Sequence, residues 1–144
     1  MMHKTTAWIL GAIALLLALS YSGNAQEDLK MRIPVISLGR IHPPEVKNGK
    51  PVPTLTTRNN VLKLPMLTAD LNNCRVTEYK FSMIAPGRPF YGPFYIQGGD
   101  LTDSIKSLIR ATDGPGVKLY FDEIHMLYRG ETMDANPVYV QYDE

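Results

Sequence analysis

Proline and glycine punctuate this sequence so densely that little room is left for long regular elements. There are 11 of each in 144 residues, which predicts many turns and few long helices. The rest of the composition is that of a globular protein, 44% hydrophobic and 20% charged, and neither disordered nor coiled-coil. The chain therefore reads as one turn-rich domain of ordinary size.

The N-terminus carries a different signal. Lys4 precedes an unbroken apolar run from Ala7 to Leu19, and Ser20 to Ala25 (SYSGNA) follows with small residues around a cut after Ala25. This is the three-part layout of a cleavable signal peptide over residues 1–25. The run is too short for a helix that spans a bilayer, which needs about 20 residues. Removing 25 residues leaves 119, with 14 basic against 14 acidic side chains once Lys4 is gone. That balance offers no electrostatic case for nucleic acid or an anionic membrane surface. The expected compartment is periplasmic, with an extracellular location also open and no stable membrane insertion after cleavage. Cys74 is the only cysteine, so an internal disulfide is excluded and stability must come from packing. The role of a small buried apolar residue suits this thiol better than that of a redox or intermolecular partner.

Residues 26–57 hold Pro34, Pro43, Pro44, Pro51 and Pro53. They read as an extended arm, or as a loop wrapped over its own domain, with Ile33 to Leu38 the one strand candidate. The domain proper is expected over 58–144. Val61 to Leu71 contains Pro65 and argues against a regular central element. Tyr79, Phe81 and Met83 alternate with polar neighbours, as a half-buried strand requires. Phe90 to Ile96 is a second strand, Val117 to Ile124 a third and Pro137 to Tyr142 a last one, whereas Tyr128 to Asn136 reads as a loop. Leu101, Ile105, Leu108 and Ile109 share one face of a short helix at about 102–111, with Thr102 as its cap. The fold class that follows is mainly β: an antiparallel, immunoglobulin-like β-sandwich with one short α-helix.

Chemistry-bearing residues are sparse. His42 and His125 are the only histidines after signal removal. Strand alternation places Glu123 and His125 on one side and Asp122 on the other, which is too few ligands for a metal site. Gly98 and Gly99 stand before the helix, where backbone N–H groups could hold an anion, but a tight turn needs the same glycines. No catalytic motif is present, so no catalytic residue, metal or cofactor is expected.

The densest unusual chemistry is the stretch from Arg88 to Tyr95 (RPFYGPFY), in which Pro-Phe-Tyr occurs twice. Arg88, Phe90, Tyr91, Phe94 and Tyr95 are the candidate partner-binding residues, because aromatics and arginine on a stiff segment make binding hot spots. A packing reading instead puts Phe90 and Phe94 in the core with the tyrosines at its margin. The two readings can coexist.

Leu67 to Phe81 (LTADL through RVTEYKF), Gly98 to Arg110 (GGDLTDSIKSLIR), Gly116 to Ile124 (GVKLYFDEI) and Asn136 to Val140 (NPVYV) together resemble the C-terminal periplasmic domain of GldM-type gliding-motility proteins. That family forms the shaft of the type IX secretion machinery of Bacteroidetes. The resemblance covers about Val61 to Tyr142. It implies an immunoglobulin-like periplasmic module for protein–protein contact, with another cell-envelope or exported protein as partner and no cofactor. The family's members are long and keep a membrane helix, whereas this sequence reads as a short signal and one domain. Two other readings stay open: a small secreted hydrolase or metal-dependent enzyme using His125 and Glu123, and an envelope-sugar-binding domain with Tyr91 and Tyr95 lining one groove.

Overall fold

The computed structural model describes residues 33–142; the signal-peptide reading of residues 1–25 lies outside the described residues. Strands β1 (Ile36–Leu38), β2 (Glu45–Lys47), β3 (Lys50–Val52) and β4 (Thr54–Thr56) come first, followed by helix α1 (Arg58–Leu62) and strand β5 (Leu67–Ala69). Two long strands and their neighbours follow: β6 (Cys74–Ile84), β7 (Tyr91–Gln97), helix α2 (Asp103–Ala111), β8 (Lys118–Tyr128), β9 (Glu131–Asp134) and β10 (Val138–Tyr142). The principal sheet has the order β4-β10-β8-β6-β7, with β9 paired to the far half of β8. Its pairs are antiparallel except β4 with β10. Two ribbons, β1 with β5 and β2 with β3, complete the strands.

The architecture is mainly β, a sandwich-like arrangement with a short helix, as the alternation of the sequence implies. One face of the large sheet contributes Val76, Tyr79, Phe81 and Met83 from β6, Leu119, Phe121, Ile124 and Met126 from β8, and Val138, Val140 and Tyr142 from β10. The opposing layer is small. Ile36 and Leu38 of β1, Leu67 of β5, Val61 of α1, and Ile105 and Ile109 of α2 pack into the same core. Phe121 stands at its centre, tilted against the rings of Phe81 and Tyr79 at centroid distances of 5.3 and 5.8 Å, a favoured aromatic geometry.

The expected helix is present with its cap. Thr102 Oγ1 accepts from the Ile105 N–H at 3.3 Å, and Thr112 Oγ1 donates to the Leu108 carbonyl at 2.9 Å at the other end. Two features differ from the sequence reading. Thr57 caps a second, five-residue helix, α1, ahead of Pro65. Residues 128–136 are not all loop: the turn at Arg129-Gly130, both at positive φ, folds β9 back on β8 as a hairpin. The Pro-rich segment, with its strand candidate, pairs with the rest of the domain from Ile36 onward, through β1 on β5 and through β4 on the edge of the large sheet. Asn136 fastens β1 from 100 residues away, accepting from the Ile36 N–H and donating to the Ile36 carbonyl, each at 2.8 Å. The described residues from Pro34 onward belong to one compact unit. Among the described residues no helix is long and apolar enough to cross a membrane.

Candidate functional site

Among the described residues, strand β7 ends the large sheet and pairs with β6 alone. Its sequence, Tyr91 to Gln97 (YGPFYIQ), holds no charged residue. Register places Phe94 opposite Phe81, Tyr95 opposite Lys80, Ile96 opposite Tyr79 and Gln97 opposite Glu78. In the same register, the Gly98 N–H donates to the Thr77 carbonyl at 2.6 Å. Hydrogen-bonded positions alternate along an antiparallel pair, so Phe94 and Ile96 turn their backbone groups toward β6. Tyr95 and Gln97 turn theirs outward, to the open edge. Pro93 falls in the outward set, where its missing N–H costs the ladder nothing. Gly92 is required just before it: φ is +105°, and a Cβ would lie 2.7 Å from the Phe81 carbonyl oxygen.

The side chains follow the same alternation. Phe94 and Ile96 point to the helix side of the sheet but lie beyond full cover. Together with Ser104, Ile105 and Leu108 of α2 they line an apolar groove of about 270 Å³. Tyr95 points to the opposite face. Phe90, Phe94 and Tyr95 are 54%, 45% and 72% exposed. The reading that packs Phe90 and Phe94 into the core is therefore corrected: the phenylalanines buried there are Phe81 and Phe121. Tyr91 is the member of the group that packs against the core. Because Tyr91 turns inward and Tyr95 outward, the two do not line one groove. Arg88 sits at the turn before β7, donating to the Ala111 carbonyl at 3.4 Å and lying 3.7 Å from Asp113. It thus closes the C-terminal end of α2, where a cation is favoured.

A second cluster lies on the solvent face of β6, β8 and β9, and strand alternation alone misplaces it. The β6–β8 register runs regularly at both ends but shifts between Val76 and Glu78 and again between Glu78 and Lys80. Thr77 is the extra residue on β6 and Glu123, at φ +45°, the extra residue on β8. Two bulges on opposite strands cancel, so the ends of both strands stay in step. Leu119 and Phe121 face inward before the bulge, and Ile124 and Met126 after it. Asp122 therefore does not face away from Glu123 and His125; all three lie on the outer face. His125 Nδ1 is 2.7 Å from Asp134 Oδ1 and its Nε2 is 3.7 Å from Glu78 Oε1. The Glu123 carboxylate is taken by Lys80, which raises the lysine's pKa through that hydrogen bond. Asp122 accepts from the Tyr139 hydroxyl at 2.7 Å. Each acidic group of the cluster has a partner within the sheet, and among the described residues no group of three or more His, Cys, Asp or Glu is arranged to hold a metal ion.

Two further candidates find structural uses. Gly99 lets β5 approach: its carbonyl accepts from the Leu67 N–H at 2.8 Å, and a Cβ there would lie 3.1 Å from Leu67 O and Val76 Cβ. The Cys74 thiol is only half-buried, not fully buried as expected, because it starts β6 at the margin of the core, 3.4 Å from the Met126 sulfur. Burial pushes its pKa up and Asp70 adds to the shift, which leaves less of the reactive thiolate. The sequence singled out the aromatic stretch by its composition; the groove contributed by Ile96, Ser104 and Leu108 could not be read, because it forms only when α2 docks beside β7. No protein-family model matches this chain, and no curated protein matches it.

Proposed function

We propose that this chain is a non-enzymatic interaction module of the cell envelope, exported through its N-terminal signal, that binds an extended segment of another exported protein at the β7 edge. The observation that carries this reading is the exposure of Phe94 and Tyr95 on an uncharged edge strand beside an apolar groove. Outward N–H and C=O groups at Tyr95 and Gln97 offer main-chain pairing, and the groove offers a place for one apolar side chain of the added strand. The resemblance to the terminal domain of the gliding and type IX secretion shaft proteins agrees with such a role, and makes components of that machinery the first partners to seek.

Crosslinking and co-purification of the tagged protein from its native envelope, with partners identified by mass spectrometry, tests the proposal. Phe94→Ala and Arg88→Ala are expected to lower partner recovery while leaving the folded state intact. Phe94 is the cleaner probe, since Arg88 also caps α2. Undiminished recovery with Phe94→Ala overturns the proposal, and so does loss of the folded state in that variant, which would make the side chain part of the core.

A further inference from the structure

At the end of the large sheet away from β7, a cleft of about 470 Å³ opens between the β2–β3 ribbon and β4. Arg40 and His42 of the turn after β1, Glu45 and Lys47 of β2, and Leu55 of β4 line it. Its charge is one-sided, in a chain whose total is near zero. From Arg40 to Val52 the basic side chains are Arg40, Lys47 and Lys50, and the one acidic side chain is Glu45. Glu45 is already met by Lys47 at 3.3 Å. Lys50 stands directly opposite Lys47 across the ribbon, so both project from the face that lines the cleft. Like charges set opposite each other destabilise a strand pair, and an anion docked on that face would offset the cost. No ion pair among the described residues reaches Arg40 or His42.

The edge strand supplies main-chain groups to the same cleft. Tyr142 directs its N–H to Val117 and accepts at its carbonyl from Gly116, which turns its backbone away from β4. In the parallel pair, where Gln141 is registered with Leu55, it is therefore Gln141 that bonds to β4, through Thr54 and Thr56. The Leu55 N–H and C=O point out of the sheet edge, and its side chain is 58% exposed. We propose that this cleft takes an extended acidic peptide, whose main chain pairs with Leu55 and whose carboxylate is held by Arg40, with His42 beside it. Edge pairing gives the peptide its direction, and the cations select an acidic segment over a neutral one. The planar fork of an arginine can grip a carboxylate through two parallel N–H bonds. A free phosphate or a sulfated glycan would answer the charge but has no strand to offer Leu55. The site lies at the opposite edge from β7 and does not depend on the docking assigned there.

Fluorescence anisotropy of a short labelled peptide of alternating valine and glutamate, titrated with the purified protein, tests the proposal. Binding is expected, with the glutamine counterpart at least about tenfold weaker, the lower end of what a charged hydrogen bond is worth. Arg40→Gln should bring the acidic peptide down to the level of the neutral one. Leu55→Pro should abolish binding while leaving the circular dichroism unchanged, because the lost N–H points away from β10. The same peptide N-methylated along its main chain reads the ladder from the ligand's side, with the protein unaltered, and is expected not to bind. Phe94→Ala should change none of these values. No binding, equal binding of the acidic and neutral peptides, indifference to Arg40→Gln, or full affinity of the N-methylated peptide overturns the proposal. Tighter binding of a sulfated glycan, undiminished by Leu55→Pro, overturns it in favour of a general anion patch. Loss of binding in Phe94→Ala would move the peptide to β7 and overturn it as well.

Discussion

Tyr139 shows how one side chain ties the outer face of the sheet together. Its ring meets Tyr120 edge-on at 5.1 Å, and its hydroxyl donates to Asp122. Burial, and after it the bonded carboxylate, pushes the phenol pKa up to about 12. An unfolded chain would release the same proton near 10. Because the folded value is the higher one, the stabilisation is fully present below about pH 10 and is lost as the pH rises through about 12. Tyr139→Phe is expected to cost about 1 kcal/mol at neutral pH, the usual net worth of a hydrogen bond. The gap between wild type and variant should then close across that alkaline window, as read by urea unfolding at a series of pH values. A gap that persists above it would mean that the hydroxyl contributes through packing instead. Alternation along Pro137 to Tyr142 already set Tyr139 on the face opposite Val138 and Val140. Its partner, Asp122, was not legible, since the bond crosses from one strand to another.

Among the elements, β8 departs most from an ideal strand and reveals most about the limits of pattern reading. The alternation of Val117, Leu119 and Phe121 is plain in the sequence, and the structure keeps all three buried. Past Phe121 the period breaks, because Glu123 occupies an extra position at positive φ. No residue type announces that bulge; glycine or asparagine would have been the ordinary choice. The compensating bulge at Thr77 is equally silent in sequence, although its hydroxyl donates to the His125 carbonyl at 3.1 Å. Deleting Glu123 should push Ile124 and Met126 out to solvent, or drag the β9 hairpin out of register, since a one-residue slip reverses every side chain beyond it. Loss of the cooperative thermal transition is expected for the deletion. Glu123→Gly, which keeps the extra residue and eases its backbone, should unfold within a few degrees of wild type. A deletion variant that melts like wild type would show that the strand tolerates either phase.

At the scale of the whole molecule, the question is where the domain starts. Composition divides the chain after residue 57, where the prolines thin out. The structure runs its packing across that line: Ile36 and Leu38 of β1 are fully buried, and β4 adds a parallel strand to β10. Burying each of those two side chains contributes about 1.5–3 kcal/mol, against a total stability of about 5–15 kcal/mol for a typical domain. A protein begun at Arg58 is therefore expected to lose fixed tertiary structure, seen as collapsed near-ultraviolet circular dichroism and as binding of a hydrophobic dye. A truncated domain with native spectra would restore the boundary at 58.

What the sequence determined by itself is local. Short-period alternation yields the strands of β6, β8 and β10, and an i, i+4 stripe with a threonine cap yields α2, because neighbours in the chain decide which side of an element is apolar. Tertiary structure alone decided which strand became the edge, where the two bulges fell, and that the first proline-rich segment would be stitched in by Asn136 and β10. Those outcomes depend on pairings between residues far apart in the chain, among which the pattern of any single segment does not discriminate. The exposure of Phe94 belongs to the same class: its phase along β7 was readable, but α2 docks short of it, and so the core stops one side chain before the sheet does.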